Sequence, residues 1–87
     1  MTEPASYQQK IILAKEVVAS AEGLTIRVAD ETYFQLWGEC SEPLANASDL
    51  ERRAMRMSPS GYGIHWPLLD EDLAVGPLIE GRTPASS

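Results

Sequence analysis

Hydrophobic and polar positions alternate most cleanly at Leu24-Thr25-Ile26-Arg27-Val28, which places Leu24, Ile26 and Val28 on one face and Thr25 and Arg27 on the other. This pattern predicts a half-buried strand. Upstream, Ile11, Ile12 and Leu13, then Val17 and Val18, bracket Lys15 and Glu16. The segment predicts another strand, and a helix stays open because Ile11, Lys15 and Val18 also share a helical face. Ala21-Glu22-Gly23 supplies the turn between them. Downstream, Thr32-Tyr33-Phe34-Gln35-Leu36-Trp37 is β-branched and aromatic, a composition that favours strands. Asp30-Glu31 forms the tight connection, without the usual glycine. Three strands with short links predict an antiparallel meander.

Beyond Gly38 the period changes. Pro43 leads a short helical turn within Glu42 to Ala47. Ser48-Asp49-Leu50-Glu51 is a capping box, in which the Ser48 hydroxyl takes an amide hydrogen and Glu51 reaches back. A helix is predicted from Asp49 to about Met55, with Leu50, Ala54 and Met57 on its buried side. Ser58-Pro59-Ser60-Gly61 breaks it. Tyr62-Gly63-Ile64-His65-Trp66 predicts a fourth strand, stopped by Pro67. Asp70, Glu71 and Asp72 then precede an apolar stretch, so they are expected to cap a last helix. Pro77 keeps that helix short or late, and Gly81 ends it. The expected core is Leu24, Ile26, Val28, Phe34, Leu36, Leu50, Ile64, Trp66 and Leu73.

The fold class that follows is α+β: a small antiparallel β-meander plus a fourth strand, packed with two short helices. Residues 1–9 read as a flexible polar lead-in, 10–81 as a single domain, and 82–87 as a disordered Pro/Ala/Ser tail. At 87 residues the chain holds one domain, burying roughly 60–65% of its unfolded surface. A homodimer would add buried area.

Charge narrows the partners. Seven Lys and Arg face thirteen Asp and Glu, a formal net charge of −6. That balance opposes phosphate backbones and anionic membranes, and suits a basic protein partner. The start lacks a cationic segment followed by an apolar one, so no signal peptide is expected. Nor is there an apolar run of about 20 residues to span a bilayer. Cys40 is the one cysteine, which allows no intrachain disulfide. A cytoplasmic location is expected.

The chemistry-bearing residues cluster at Gly63-Ile64-His65-Trp66-Pro67-Leu68-Leu69-Asp70-Glu71-Asp72, which holds the only histidine. His65 with Asp70 or Asp72 could form an oriented acid–base pair. No nucleophile motif accompanies it, since Cys40 lies between Glu39 and Glu42, which disfavour a thiolate. His65, Asp70 and Asp72 are the weak candidates for metal ligands, though paired Cys/His spacings and a calcium loop are both missing. No cofactor or phosphate-cradling motif is present. Alternation on a strand sends Ile64 and Trp66 one way and His65 the other. The candidate binding set is His65, Trp66, Pro67, Asp70, Glu71, Asp72 and Arg52, the last from a cluster of arginines on the helix after the capping box.

The string Gly61-Tyr62-Gly63-Ile64-His65-Trp66-Pro67-x-Leu69-Asp70-Glu71-Asp72-Leu73-x-Val75 resembles the signature of domain-of-unknown-function family 2442. The meander, Pro43-Leu44-Ala45-Asn46-Ala47 and Glu51-Arg52 follow in the family's order, so the resemblance spans residues 10–81. The chain departs from the family at Ala54-Met55, at Ser58-Pro59-Ser60 and at Asp30-Glu31. The resemblance implies a small bacterial α+β domain without established catalytic residues. Some relatives are encoded beside a second small protein, in pairs similar to toxin–antitoxin modules. The expectation is therefore a non-enzymatic protein-interaction module, antitoxin-like, with a small basic protein as partner. The alternative is a metal- or small-ligand-binding domain using His65 and the Asp70–Asp72 acids.

Overall fold

Residues 12–85 are described by the structure, a computed structural model. The predicted lead-in lies outside the described residues. Strands β1 (Glu16–Ala19), β2 (Gly23–Val28) and β3 (Glu31–Leu36) form an antiparallel meander. Three short helices follow: α1 (Trp37–Cys40), α2 (Glu42–Ala45) and α3 (Asp49–Arg53). A second three-stranded antiparallel sheet is built from β4 (Arg56–Met57), β5 (Gly63–Trp66) and β6 (Glu71–Ala74), and α4 (Val75–Ile79) ends the fold. The α+β class is as expected. The motif strand has gained a neighbour on each side, and the helical segments number four among the described residues. None of these helices is long and apolar enough to cross a membrane.

The first segment is a strand and not a helix, because Val17 and Ala19 lie opposite Ile26 and Leu24 across β1–β2. Glu16 and Arg27 meet on the other face at 3.4 Å. Directly opposed residues share a face. The β2–β3 link contains two residues, Ala29 and Asp30, between the paired Val28 and Glu31. A two-residue link joins even positions of β2 to odd positions of β3. Leu24 therefore faces inward with Gln35, and Ile26 with Tyr33. This corrects the expected core: Phe34 is 42% and Leu36 50% exposed, while Gln35 is fully buried. Gln35 survives there because its amide donates to the Leu78 carbonyl and its carbonyl accepts from Cys40 Sγ at 3.7 Å.

Ser48 and Glu51 form the predicted capping box, with bonds of 3.2 Å and 2.8 Å. Leu50 is nevertheless 73% exposed. The five-residue helix α3 is too short to present a wide apolar stripe, and Met55 packs on the core in its place. The core itself gathers Leu24, Ile26, Trp37, Leu44, Ile64, Trp66 and the α4 residues Val75, Leu78 and Ile79. Val28 and Leu73 pack at its margin.

Gly61, in the link between β4 and β5, fastens the segment leading into β1 to the second sheet. Its carbonyl accepts from Ala14 N at 2.8 Å, and its φ is +85°. A Cβ there would collide with the Ala14 carbonyl. Gly81, at φ +75°, follows α4 as predicted.

Candidate functional site

Pro67 lacks an N–H and ends β5, as its chemistry requires. The chain turns through Pro67, Leu68, Leu69 and Asp70, with bonds from Leu69 N to Trp66 O (3.1 Å) and Asp70 N to Pro67 O (3.4 Å). Asp70 takes the left-handed conformation, φ +52°, which aspartate tolerates better than most residues. The acids thus do not cap the last helix. Asp70 closes a hairpin, Glu71 pairs with Trp66 and Asp72 with His65. Helix α4 begins at Val75 without a side-chain cap. Its first amide instead donates to the Tyr62 carbonyl at 2.8 Å.

Alternation along β5 divides the motif between two faces. Ile64 and Trp66 are buried, 2% and 0% exposed. The Trp66 indole donates to the Arg52 carbonyl at 3.0 Å and meets the Trp37 ring edge-on, with centroids 6.4 Å apart. The Arg52 guanidinium lies 5.3 Å from the Trp37 ring centroid and donates to the Leu44 and Ala45 carbonyls. Arg52 and Trp66 are joined, on the inner side, in a structural network.

His65 points the other way. Its Nδ1 lies 2.6 Å from Asp72 Oδ1, and both side chains are solvent-exposed in part. A proton on Nδ1 is shared with the carboxylate, which leaves Nε2 to accept when the ring is neutral. Arg56 is opposite His65 on the other flank, so Arg56, His65 and Asp72 stand in one row across the sheet. This row borders an open groove of about 860 Å³, lined by Ser58, Ser60, Tyr62 and Ala74. The Ser58 hydroxyl accepts from Gly63 N and the Ser60 hydroxyl from Tyr62 N. Among the described residues neither serine is bonded to His65, so no oriented nucleophile completes the His–Asp pair. Cys40 sits elsewhere, and burial pushes its thiol up to about 11, which keeps it protonated at neutral pH.

Asp70 at the hairpin tip stands apart from the His65–Asp72 pair. Among the described residues no three His, Cys, Asp or Glu side chains converge to hold a metal ion. Arg56, Ser58, Ser60 and Tyr62, which border the groove, lie outside the candidate binding set. The signal was a hairpin: Ser58-Pro59-Ser60-Gly61 lies between two short extended runs, and it reads as a β-turn loop as readily as a helix stop.

A family model described as a protein of unknown function (DUF2442) matches residues 14–84. The chain is also similar in fold to a solved protein of unknown function from Rhodospirillum rubrum ATCC 11170. The two are 24% identical, the alignment covers 82% of this chain and 88% of that one, and the TM-score is 0.69. No curated protein matches the chain.

Proposed function

The chain belongs to that family of proteins of unknown function, DUF2442, and on that premise we propose that it is a non-catalytic protein-interaction module that engages its partner through the tip of the β5–β6 hairpin. One observation carries the reading. Pro67, Leu68 and Asp70 all face solvent at the tip, with Leu68 57% exposed. The backbone beneath them is held by the turn bonds and by the buried Trp66. A pre-formed apolar knob beside carboxylates costs little ordering entropy on binding. It fits a basic surface with an apolar socket, because apolar anchors supply affinity and charge complementarity steers the encounter.

The partner in this reading is a small basic protein, matched to the net charge of −6. The finer form is the neutralising, antitoxin-like half of a two-gene pair acting in the cytoplasm. Co-expression with the neighbouring small open reading frames of its own genome tests it. The expected result is a complex that co-purifies and dissociates at high salt. Leu68→Ser and Asp70→Asn should each weaken it, the second without disturbing the turn, since asparagine also accepts left-handed backbone. A complex indifferent to both substitutions, or no complex with any neighbour, refutes the proposal.

A further inference from the structure

The groove on the outer face of the second sheet carries an inference independent of the hairpin tip, because it uses different side chains. Of the five arginines in the chain, four are engaged: Arg27 with Glu16, Arg53 with Asp49, Arg82 with Glu39, and Arg52 with two backbone carbonyls. Arg56 has no carboxylate partner and no side-chain hydrogen bond among the described residues, although the chain is rich in acids. The sheet explains why. The acid in its row, Asp72, lies two strands away, beyond His65, and is taken by that ring at 2.6 Å. Adjacent strands are about 4.8 Å apart, so the row separates the Arg56 and Asp72 backbones by roughly 10 Å.

Two further donors flank the same groove. The Ser58 and Ser60 oxygens already accept backbone N–H groups, and neither hydroxyl donates to an acceptor among the described residues. Each hydroxyl proton is available to a ligand. The remaining lining is apolar: Pro59, the 55%-exposed ring of Tyr62, and Ala74, which pairs with Gly63 on the His65 face. A volume of about 860 Å³ lies within the range of small-molecule sites, which pair apolar walls with a few converging polar groups.

We propose that this groove binds a small amphipathic carboxylate, an apolar body carrying one negative charge. The carboxylate sits on the Arg56 fork with the Ser58 and Ser60 hydroxyls beside it, and the body lies along Pro59, Tyr62 and Ala74. The planar guanidinium matches a carboxylate in geometry, through two parallel N–H···O bonds. A single charge is specified by the balance of the site. One cation serves the groove, the Asp72 carboxylate stands in the same row, and a net charge of −6 repels a dianion such as a phosphate monoester more strongly than a monoanion.

Octanoate and octanamide, titrated separately into the ¹⁵N-labelled full chain, test the assignment. Octanoate should shift the amide resonances of Tyr62, Gly63, His65 and Leu73, and bind about tenfold or more tightly than octanamide, the scale of one charge-assisted fork. Arg56→Gln should bring octanoate down to the level of the amide. Arg56 is exposed on a two-residue edge strand, so this variant should fold as wild type. Leu68→Ser, at the hairpin tip, should leave octanoate binding unchanged, which separates this groove from the partner reading. Equal affinity for acid and amide, or no shift at millimolar octanoate, overturns the proposal. A peptide with a free C-terminal carboxylate that bound more tightly than octanoate would overturn the small-molecule assignment in favour of a partner's chain end.

Discussion

Three glycines of this fold differ in backbone and surroundings, and replacing each by alanine separates the two causes. Gly38 lies in α1, with ordinary helical backbone and nothing within 4 Å of an added Cβ. Gly81 has φ +75° and equally open space. Gly61 has φ +85°, and its added Cβ would collide with the Ala14 carbonyl and lie 3.0 Å from Ala14 N. Gly38→Ala should stabilise by about 0.4–1 kcal/mol, through the reduced freedom of the unfolded chain. Gly81→Ala gains the same but loses about 1–2 kcal/mol to left-handed strain, for a net cost of about 1 kcal/mol. Gly61→Ala carries that cost too, and it must also displace Ala14 and weaken the Ala14 N to Gly61 O bond. The lost bond and the displaced packing add roughly 2 kcal/mol, giving about 3 kcal/mol in total. For a domain of this size each kcal/mol lowers Tm by about 4–8 °C, so Gly61→Ala should lower it by about 12–24 °C. Urea unfolding followed by the fluorescence of the buried Trp37 and Trp66 reads all three. Should Gly61→Ala not fold alone, the Gly38→Ala background restores part of the margin. A Gly61→Ala cost within a few tenths of a kcal/mol of Gly81→Ala would refute the packing of the Ala14 segment on the second sheet.

Trp66→Phe removes the indole bond to the Arg52 carbonyl and part of the fully buried volume, and should cost about 2–3 kcal/mol in urea unfolding while the fold is retained. Leu50→Ser should change stability by less than about 0.5 kcal/mol, because Leu50 is 73% exposed; a cost of 2 kcal/mol or more would place it back in the core. Burial holds the Cys40 thiol protonated from its ordinary 9.0 up to about 11. The unfolded chain therefore releases this proton first, so the Cys40 contribution to stability is complete below pH 9 and declines as pH rises toward 11. Chemical denaturation from pH 8 to 10.5 should show wild type losing stability faster than Cys40→Ser, and parallel curves would refute the burial of the thiol.

The meander strands, the motif strand β5 with its alternation, the capping box and the stop at Gly81 were legible, because each rests on local chemistry. The facing of β3 was misread although the needed information was present. A tight two-residue link inverts parity between the strands it joins, so Leu24 and Ile26 cannot share a face with Phe34 and Leu36. What local reading could not supply was the tolerance of a fully buried Gln35, which depends on Leu78, 43 residues away. The same holds for the acids Asp70 to Asp72. An acid before an apolar stretch is a sound helix cap, but the pairing of Glu71 and Asp72 with Trp66 and His65 outcompeted it. β4 is two residues long, and a strand that short carries no period of its own.

The motif string is distinctive because one strand writes two surfaces at once. Its inward residues are bound into a network that runs from Trp66 through the Arg52 carbonyl to α2 and Trp37. Substitution there acts first on stability, and any loss of binding would follow from unfolding. Its outward residue, His65, is partly exposed, and Asp72 more so, 42% and 77% by side chain. Their exchange should leave the fold largely intact, since exposed ion pairs contribute little. The recognisable signature and the ligand-facing chemistry therefore coincide only at His65 and its neighbours on the sheet. Arg56, Ser58 and Ser60, which give the groove its free donors, precede the signature in sequence. Variation at those three positions would retune what the groove accepts without touching the network that holds Trp66 in place.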